Sequence, residues 1–172
     1  MHFRGGMARP VVSDKDLGFK EILKEINKLT KMEILVGIQE GSITSRESRG
    51  HHTRDAGVNI AQYAAQNEFG TREIPQRSFM RSSFDENFSK IEAFITLQYG
   101  KVVDGDQTAR QAVGLIGQAM TGLVQRKIRA IVFPPNSALT IARKGSSKPL
   151  IDFGQMIASI RYVIKTVQKT AM

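Results

Sequence analysis

The sequence contains no cysteine and no run of about 18 or more apolar residues, the length that a membrane-spanning helix needs. Without cysteine the chain can form neither a disulfide nor a thiolate metal site, and it has no cysteine nucleophile. This absence is typical of a protein made in a reducing compartment. The first residues also lack the continuous apolar core of a signal peptide. We therefore expect no membrane partner.

Residues that carry chemistry are scarce as well. The histidines are His2, His51 and His52, and the adjacent pair lies in a polar segment with no third ligand at regular spacing. The segment 145–148 (GSSK) lacks the frame of a phosphate-binding loop, and no G-x-S-x-G elbow is present. The sequence thus predicts no catalytic residue, no metal ligand and no cofactor.

Acidic residues are few in the last third of the chain. Residues 105–172 carry ten basic and two acidic side chains, so most of the net charge of +9 lies there. The basic surface is predicted to include Arg126, Lys127, Arg129, Arg143, Lys144 and Lys148. Such a surface favours non-specific contact with nucleic acid or contact with an acidic protein, and the sequence leaves both open. No helix-turn-helix, zinc-finger or basic-zipper spacing indicates sequence readout.

The first part of the chain predicts an arm followed by one α+β domain. Gly5, Gly6 and Pro10 interrupt residues 1–15, which we interpret as an N-terminal arm, with a single domain over 16–172. Apolar residues at three- and four-residue steps predict a helix over 16–29, and alternation predicts a strand over 32–38. Residues 39–57 are rich in Gly, Ser, Thr and Arg, which favours a long mobile loop.

The rest of the domain is predicted to contain three helices and a second strand. The helices span 59–68, 79–101 and 107–131, and alternation predicts the strand over 159–167. Between them we expect a short strand or hairpin arm at 138–142, a basic turn at 143–149 and a helical turn or two within 150–158. The expected architecture is an antiparallel sheet packed against helices.

Several finer expectations concern the two long helices. In the helix over 79–101, Ser83 and Glu86 have the spacing of a capping box. This helix should bury one stripe, which comprises Phe84, Phe88, Ile91, Ile95 and Tyr99. Asp106 is the expected cap of the following helix. Three glycines in that helix indicate the close approach of another helix; they are Gly114, Gly117 and Gly122.

Two segments hold unusual combinations of residues. The first runs from Asn67 to Arg81 and places Gly, Pro and three arginines between helices, with Phe69 and Phe79 as hydrophobic anchors. The second runs from Thr140 to Ile160 and joins a basic turn to an apolar return. Ordinary helix ends and a hairpin would also account for these features, so physics alone leaves their role open.

These two segments, the first and second motifs below, resemble signatures of the virion morphogenesis proteins of tailed bacteriophages. The first resembles E-F-G-T-x-x-I-P-x-R-x-F, and the matching residues are Glu68, Phe69, Gly70, Thr71, Ile74, Pro75, Arg77 and Phe79. The second resembles T-I-x-x-K-G-x-x-x-P-L-x-D-x-G-x-M/L-x-x-S-I, and the matching residues are Thr140, Ile141, Lys144, Gly145, Pro149, Leu150, Asp152, Gly154, Met156, Ser159 and Ile160. Gln76, Ser78 and Phe153 depart from the pattern, which has Ala, Pro and Thr there. The resemblance covers roughly residues 32–167.

The family comprises minor tail, tail-completion and head–tail joining proteins of lambda-like and Mu-like phages. The resemblance implies a non-enzymatic subunit of the virion neck or upper tail, made in the host cytoplasm. It implies a homo-oligomeric ring, often six-fold, that contacts other neck or tail proteins and surrounds double-stranded DNA. The motif residues would then be structural. The alternative is a basic nucleic-acid-binding or processing protein, although basic and aromatic residues do not cluster on strands as a stacking platform requires.

Overall fold

Two strands from distant parts of the chain pair into a small antiparallel sheet, and seven helices are found among the described residues. The computed structural model describes residues 18–38, 42, 47–49, 52–54 and 57–167, with the backbone alone for 47–49 and 52–54. In chain order the elements are α1 Phe19–Leu29, β1 Met32–Ile38, β2 Glu47–Arg49, β3 His52–Arg54, α2 Ile60–Phe69, α3 Met80–Asp85, α4 Phe88–Val103, α5 Ala109–Ala130, α6 Ala138–Lys144, α7 Gln155–Ser159 and β4 Ile160–Thr166. The predicted α+β class is confirmed.

The central sheet joins β1 to β4 in antiparallel register, with Met32 opposite Thr166 and Ile38 opposite Ile160. Both strands were expected from their alternating apolar residues, and the alternation holds. Ile34 and Ile164 are partners on the half-buried face, whereas Glu33 and Lys165 are partners on the exposed face. An opposite-charge pair across two strands stabilises their register modestly.

Helix α5 packs against this sheet and against α1, α3 and α4, so it forms the centre of the fold. It begins at a capping box in which Thr108 and Gln111 bind each other's backbone N–H groups. The expectation of Asp106 as the cap is therefore wrong. The Glu25 carboxylate of α1 also accepts the N–H of Ala109 at 2.8 Å, which supplies a negative charge at the positive end of the α5 dipole.

The aromatic ring of Tyr162, rather than another helix, packs against Gly117. A Cβ atom placed on Gly117 would lie 2.4 Å from Cδ2 of Tyr162 in β4, so no larger residue fits there without movement. The expectation that the α5 glycines admit another helix is wrong at this position. Gly114 lies under the edge of the same ring, where a Cβ would be 3.8 Å from the tyrosine oxygen.

The helix predicted over 79–101 is two helices, because the chain turns at Glu86 and Asn87 between α3 and α4. The Asn87 side chain donates to the carbonyl of Ser83 at 2.9 Å, and that carbonyl is the acceptor that a continuous helix would use for the Asn87 N–H. Ser83 does not cap a helix but is buried in α3, where its hydroxyl donates to the carbonyl of Met80 at 2.7 Å. The expected stripe is also incomplete, since Phe88 and Tyr99 are exposed.

The predicted short strand at 138–142 is helix α6. Ser137 caps its N-terminus by accepting the N–H of Thr140, and Gly145 ends it in the left-handed conformation with φ of 67°. These two caps outweigh the β-branched Thr140 and Ile141, which favoured a strand. Helix α7, Gln155–Ser159, corresponds to the helical turn or two expected within 150–158.

Part of the segment 39–57 forms an antiparallel hairpin, in which Ser48 lies opposite Thr53. The prediction of an irregular loop is wrong for the strands β2 and β3. The arm predicted over 1–15 lies outside the described part of the chain, and so do the remaining residues of 39–57 apart from Ser42 and Gly57.

Candidate functional site

The first motif is organised around the buried carboxylate of Glu68, in the last turn of α2. Its two oxygens accept four hydrogen bonds from the segment that opens α3. The donors are the hydroxyl of Ser78 at 2.7 Å and the backbone N–H groups of Phe79, Met80 and Arg81 at 2.7, 2.8 and 3.1 Å. Burial by itself raises the pKa of the Glu68 carboxyl, but these four bonds outweigh burial and hold the pKa below its ordinary value. Glu68 therefore acts as an anionic cap, supplied by another helix, for α3.

The residues between Glu68 and α3 reverse the chain so that this cap can form. Gly70 has φ of 77°, and a Cβ on it would lie 3.1 Å from the backbone nitrogen of Gln76. Thr71 closes the next turn, because its N–H donates to the carbonyl of Ile74 at 2.8 Å and its hydroxyl accepts the N–H groups of Glu73 and Ile74. Pro75 then keeps Ile74 out of the helical conformation. Gly70, Thr71 and Pro75 thus shape this reversal of the chain.

Arg77 ties the first motif to the segment that follows α5. Its guanidinium is buried and donates through Nε to the carbonyl of Pro134 at 2.7 Å and through Nη2 to the carbonyl of Pro135 at 2.9 Å. The third nitrogen, Nη1, lies 3.4 Å from Oδ1 of Asn67. A planar fork with several donors is required to satisfy carbonyl groups in this way, and lysine lacks it. No local signal links Arg77 to residues 57 positions away, so sequence reasoning missed this contact.

The two aromatic residues of the first motif have different environments. Phe79 is 2% exposed and belongs to the main hydrophobic core. Phe69, expected to be a second anchor, is 70% exposed at the end of α2. The expectation is wrong for Phe69, which leaves a large apolar side chain at the surface beside the buried Glu68.

The second motif forms α6, a turn and a buried return. Lys144 donates from Nζ to the carbonyl of Lys148 at 2.9 Å, and the amide of Asn136 donates to the same carbonyl at 3.2 Å. Pro149 and Leu150 then bury their side chains in the interior. Gly154 precedes α7 with φ of 80°, a backbone conformation that glycine adopts readily.

The structure brings both motifs to one cleft of about 590 Å³. Glu73, Ile74, Pro75 and Arg77 of the first motif line it, and so do residues of the second motif, namely Thr140, Arg143, Lys144 and Asp152. Tyr63 and Asn67 of α2 complete the wall. The motif residues therefore form one structural unit, although some sixty residues separate the two segments.

The predicted basic residues lie on two elements. Arg126, Lys127 and Arg129 belong to α5, whereas Arg143 and Lys144 end α6 and Lys148 follows in the turn. Lys127 forms an ion pair with Glu86, which reduces its contribution to a cationic surface. Arg126, Arg129, Arg143 and Lys148 are exposed.

Hydrogen bonds between side chains and backbone hold the segments of this site together. The most buried charged groups, Glu68 and Arg77, bind backbone groups of neighbouring segments. Across the part of the chain that is described, no three His, Asp or Glu residues group as ligands for a metal ion. Within the same residues, no helix has both the length and the apolar character that a bilayer crossing requires.

Comparison with known proteins adds no assignment. No protein-family model matches the chain, and neither the curated proteins nor the solved structures contain a match. The function is accordingly argued from the two motifs and from the way in which the fold uses them.

Proposed function

We propose that this protein is a structural subunit of the neck or upper tail of a tailed-phage virion. In this role, copies of the chain form a ring, six-fold in the simplest case, that joins or completes the tail at the head and surrounds the DNA channel. The partners are other copies of the chain, neighbouring neck or tail proteins, and double-stranded DNA held without sequence readout. The protein acts without catalysis.

The observation that carries this proposal is the convergence of the two motifs on one cleft. Of the residues that carry the resemblance, Ile74, Pro75 and Arg77 of the first motif line this cleft, and the second motif contributes Thr140, Lys144 and Asp152. Here Arg77 of the first motif holds the segment that leads into the second, through the carbonyls of Pro134 and Pro135. The residues that carry the resemblance thus define a single architectural unit.

Two surface properties also support an assembly role. Phe69 is exposed within the first motif, as expected of a residue that a neighbouring protein covers. The basic surplus of residues 105–172 suits a surface beside packaged DNA or beside acidic neighbours.

The test is the location and the requirement of the protein in virions. A nonsense mutation in its gene should yield filled heads and separate tails that fail to join, and cryo-electron microscopy of complete particles should place the chain around the axial channel. Complete infectious particles without the protein would refute the proposal. A missense control, Asp85→Asn at an exposed site outside the cleft, should leave particle yield unchanged.

A further inference from the structure

An apolar groove of about 450 Å³ runs between α4 and α5. Ile91 and Phe94 form one wall, and Leu115, Ala119 and Leu123 form the other. Among the described residues, two charged side chains line the groove, the cations Lys90 and Arg126. Arg126 extends across Gly122, where a Cβ would lie 3.4 Å from its guanidinium.

The other flank of α4 carries an exposed apolar ridge, formed by Phe88, Glu92, Tyr99 and Val103. Steps of four, seven and four residues place these side chains along one stripe of the helix. Phe88 is 67% exposed, Tyr99 38% and Val103 53%, and Glu92 is the exposed acid among them. The pattern is that of a buried helix face, yet within the single chain much of its apolar surface is uncovered.

The ridge and the groove lie on opposite flanks of α4 and carry charges of opposite sign. Lys90 and Phe94 are each two residues from Glu92, hence about 200° around the helix, on the opposite flank. The ridge is about 22 Å long, and the groove wall from Leu115 to Arg126 is about 16 Å long, at 1.5 Å per residue. The ridge carries the carboxylate of Glu92, and the groove is lined by the cations Lys90 and Arg126.

We propose that the ridge of one copy binds in the groove of the next copy, head to tail. This inference rests on the proposed ring and specifies the contact that builds it. The two surfaces lie on opposite flanks, so each copy can engage two neighbours at once, and such heterologous contacts build a ring when the rotation from copy to copy closes. A two-fold contact between two ridges would place Glu92 next to Glu92 of the other copy. A two-fold contact between two grooves would bring together the cations Lys90 and Arg126 of both copies. Repulsion between like charges disfavours both arrangements.

Cysteine cross-linking tests the contact directly, because the natural chain has no cysteine. Glu92→Cys and Arg126→Cys change exposed side chains, so both variants should fold. After oxidation of the full chain in concentrated solution and in purified particles, the double variant should give a ladder that ends at the ring number. Each single variant should stay uncross-linked, and a mixture of the two singles should give dimers only. The control is the double variant Glu73→Cys with Arg129→Cys, which matches the exchanged charges but lies off both surfaces.

Charge exchange provides the second measurement. Glu92→Arg or Arg126→Glu should weaken self-association roughly tenfold or more, and the combination should restore it. Dimers from Glu92→Cys alone would overturn the head-to-tail contact. The head-to-tail contact would also be overturned if Glu92→Cys with Arg126→Cys cross-links no more than the control. This holds whether native mass spectrometry shows rings or monomers. If rings persist although the double variant does not cross-link, the ring uses another interface and the proposed function is unaffected. If the protein is absent from virions, the proposed function is refuted whatever the cross-links show.

Discussion

Replacing Glu68 with glutamine removes a charge from the buried carboxylate that caps α3 while preserving the shape of the side chain. The amide nitrogen fits best in place of Oε1, because the hydroxyl of Ser78 can rotate and accept a hydrogen bond from it. The N–H of Arg81, now 3.1 Å from Oε1, then loses its acceptor. The remaining oxygen still accepts from Phe79 and Met80.

The expected loss follows from these contacts. An unsatisfied buried N–H costs about 1–3 kcal/mol, and loss of a negative charge at a helix N-terminus costs about 0.3–1 kcal/mol. We expect Glu68→Gln to lower the free energy of unfolding by about 2–3 kcal/mol. Glu68→Ala removes the acceptor of three backbone N–H groups and should cost about 4 kcal/mol or more.

The pH dependence supplies an independent check. The folded-state pKa of Glu68 lies below its ordinary value of 4.5. The carboxylate therefore stabilises the fold fully at pH values above its unfolded-state pKa, and this contribution is lost as the pH falls through the folded-state pKa. Glu68→Gln lacks the titrating group, so the difference between the two proteins should be constant near neutral pH and shrink in acid.

Urea unfolding followed by far-ultraviolet circular dichroism measures both effects. Glu73→Gln is the matched control, because Glu73 is exposed in the same connection. It should change the free energy of unfolding by less than about 0.5 kcal/mol. If Glu68→Gln is indistinguishable from this control at pH 7, Glu68 does not hold α3 as described.

Three other outcomes are expected. Gly117→Ala should lower the free energy of unfolding by about 1–3 kcal/mol, because its Cβ meets the ring of Tyr162. Gly114→Ala makes only an ordinary contact of 3.8 Å and should raise the free energy of unfolding by up to about 1 kcal/mol. Equal effects of the two variants in thermal unfolding would contradict this packing of Tyr162 on α5. Gly154→Val should lower the melting temperature, since φ of 80° is unfavourable for a β-branched residue, and an unchanged value would show that the backbone readjusts. The protein should bind duplex DNA weakly, with an affinity that falls with salt and is the same for different DNA sequences. Arg129→Glu should weaken the binding of every DNA sequence to the same extent. Tight binding to one sequence would favour a nucleic-acid-processing protein.

Local patterns were sufficient where the determining contacts are themselves local. The alternation in β1 and β4 predicted both strands, and the cap of α2 by Asn59 is formed by residues three apart. The turn at Asn87 and the helix α6 were missed even though their determinants are local. In each case, a side-chain cap or competing hydrogen bond outweighed the apolar pattern or the β propensity.

Non-local contacts account for the rest of the candidate site. Both motifs were identified in the sequence, but their meeting depends on the bonds from Arg77 to Pro134 and Pro135. The exposure of Phe69 was equally inaccessible, because a hydrophobic side chain in a motif has the same signature whether it faces the core or another molecule.

The pairing of β1 with β4 sets the order in which the protein can fold. On the ribosome β4 emerges about 130 residues after β1, a delay on the order of ten seconds at usual rates of synthesis. Helices α4 and α5 can associate early, because a few residues separate them, whereas β1 has to wait for its partner. Any product truncated before Ile160 leaves β1 unpaired and Gly117 without its tyrosine ring. Only chains that include β4 can therefore complete the sheet.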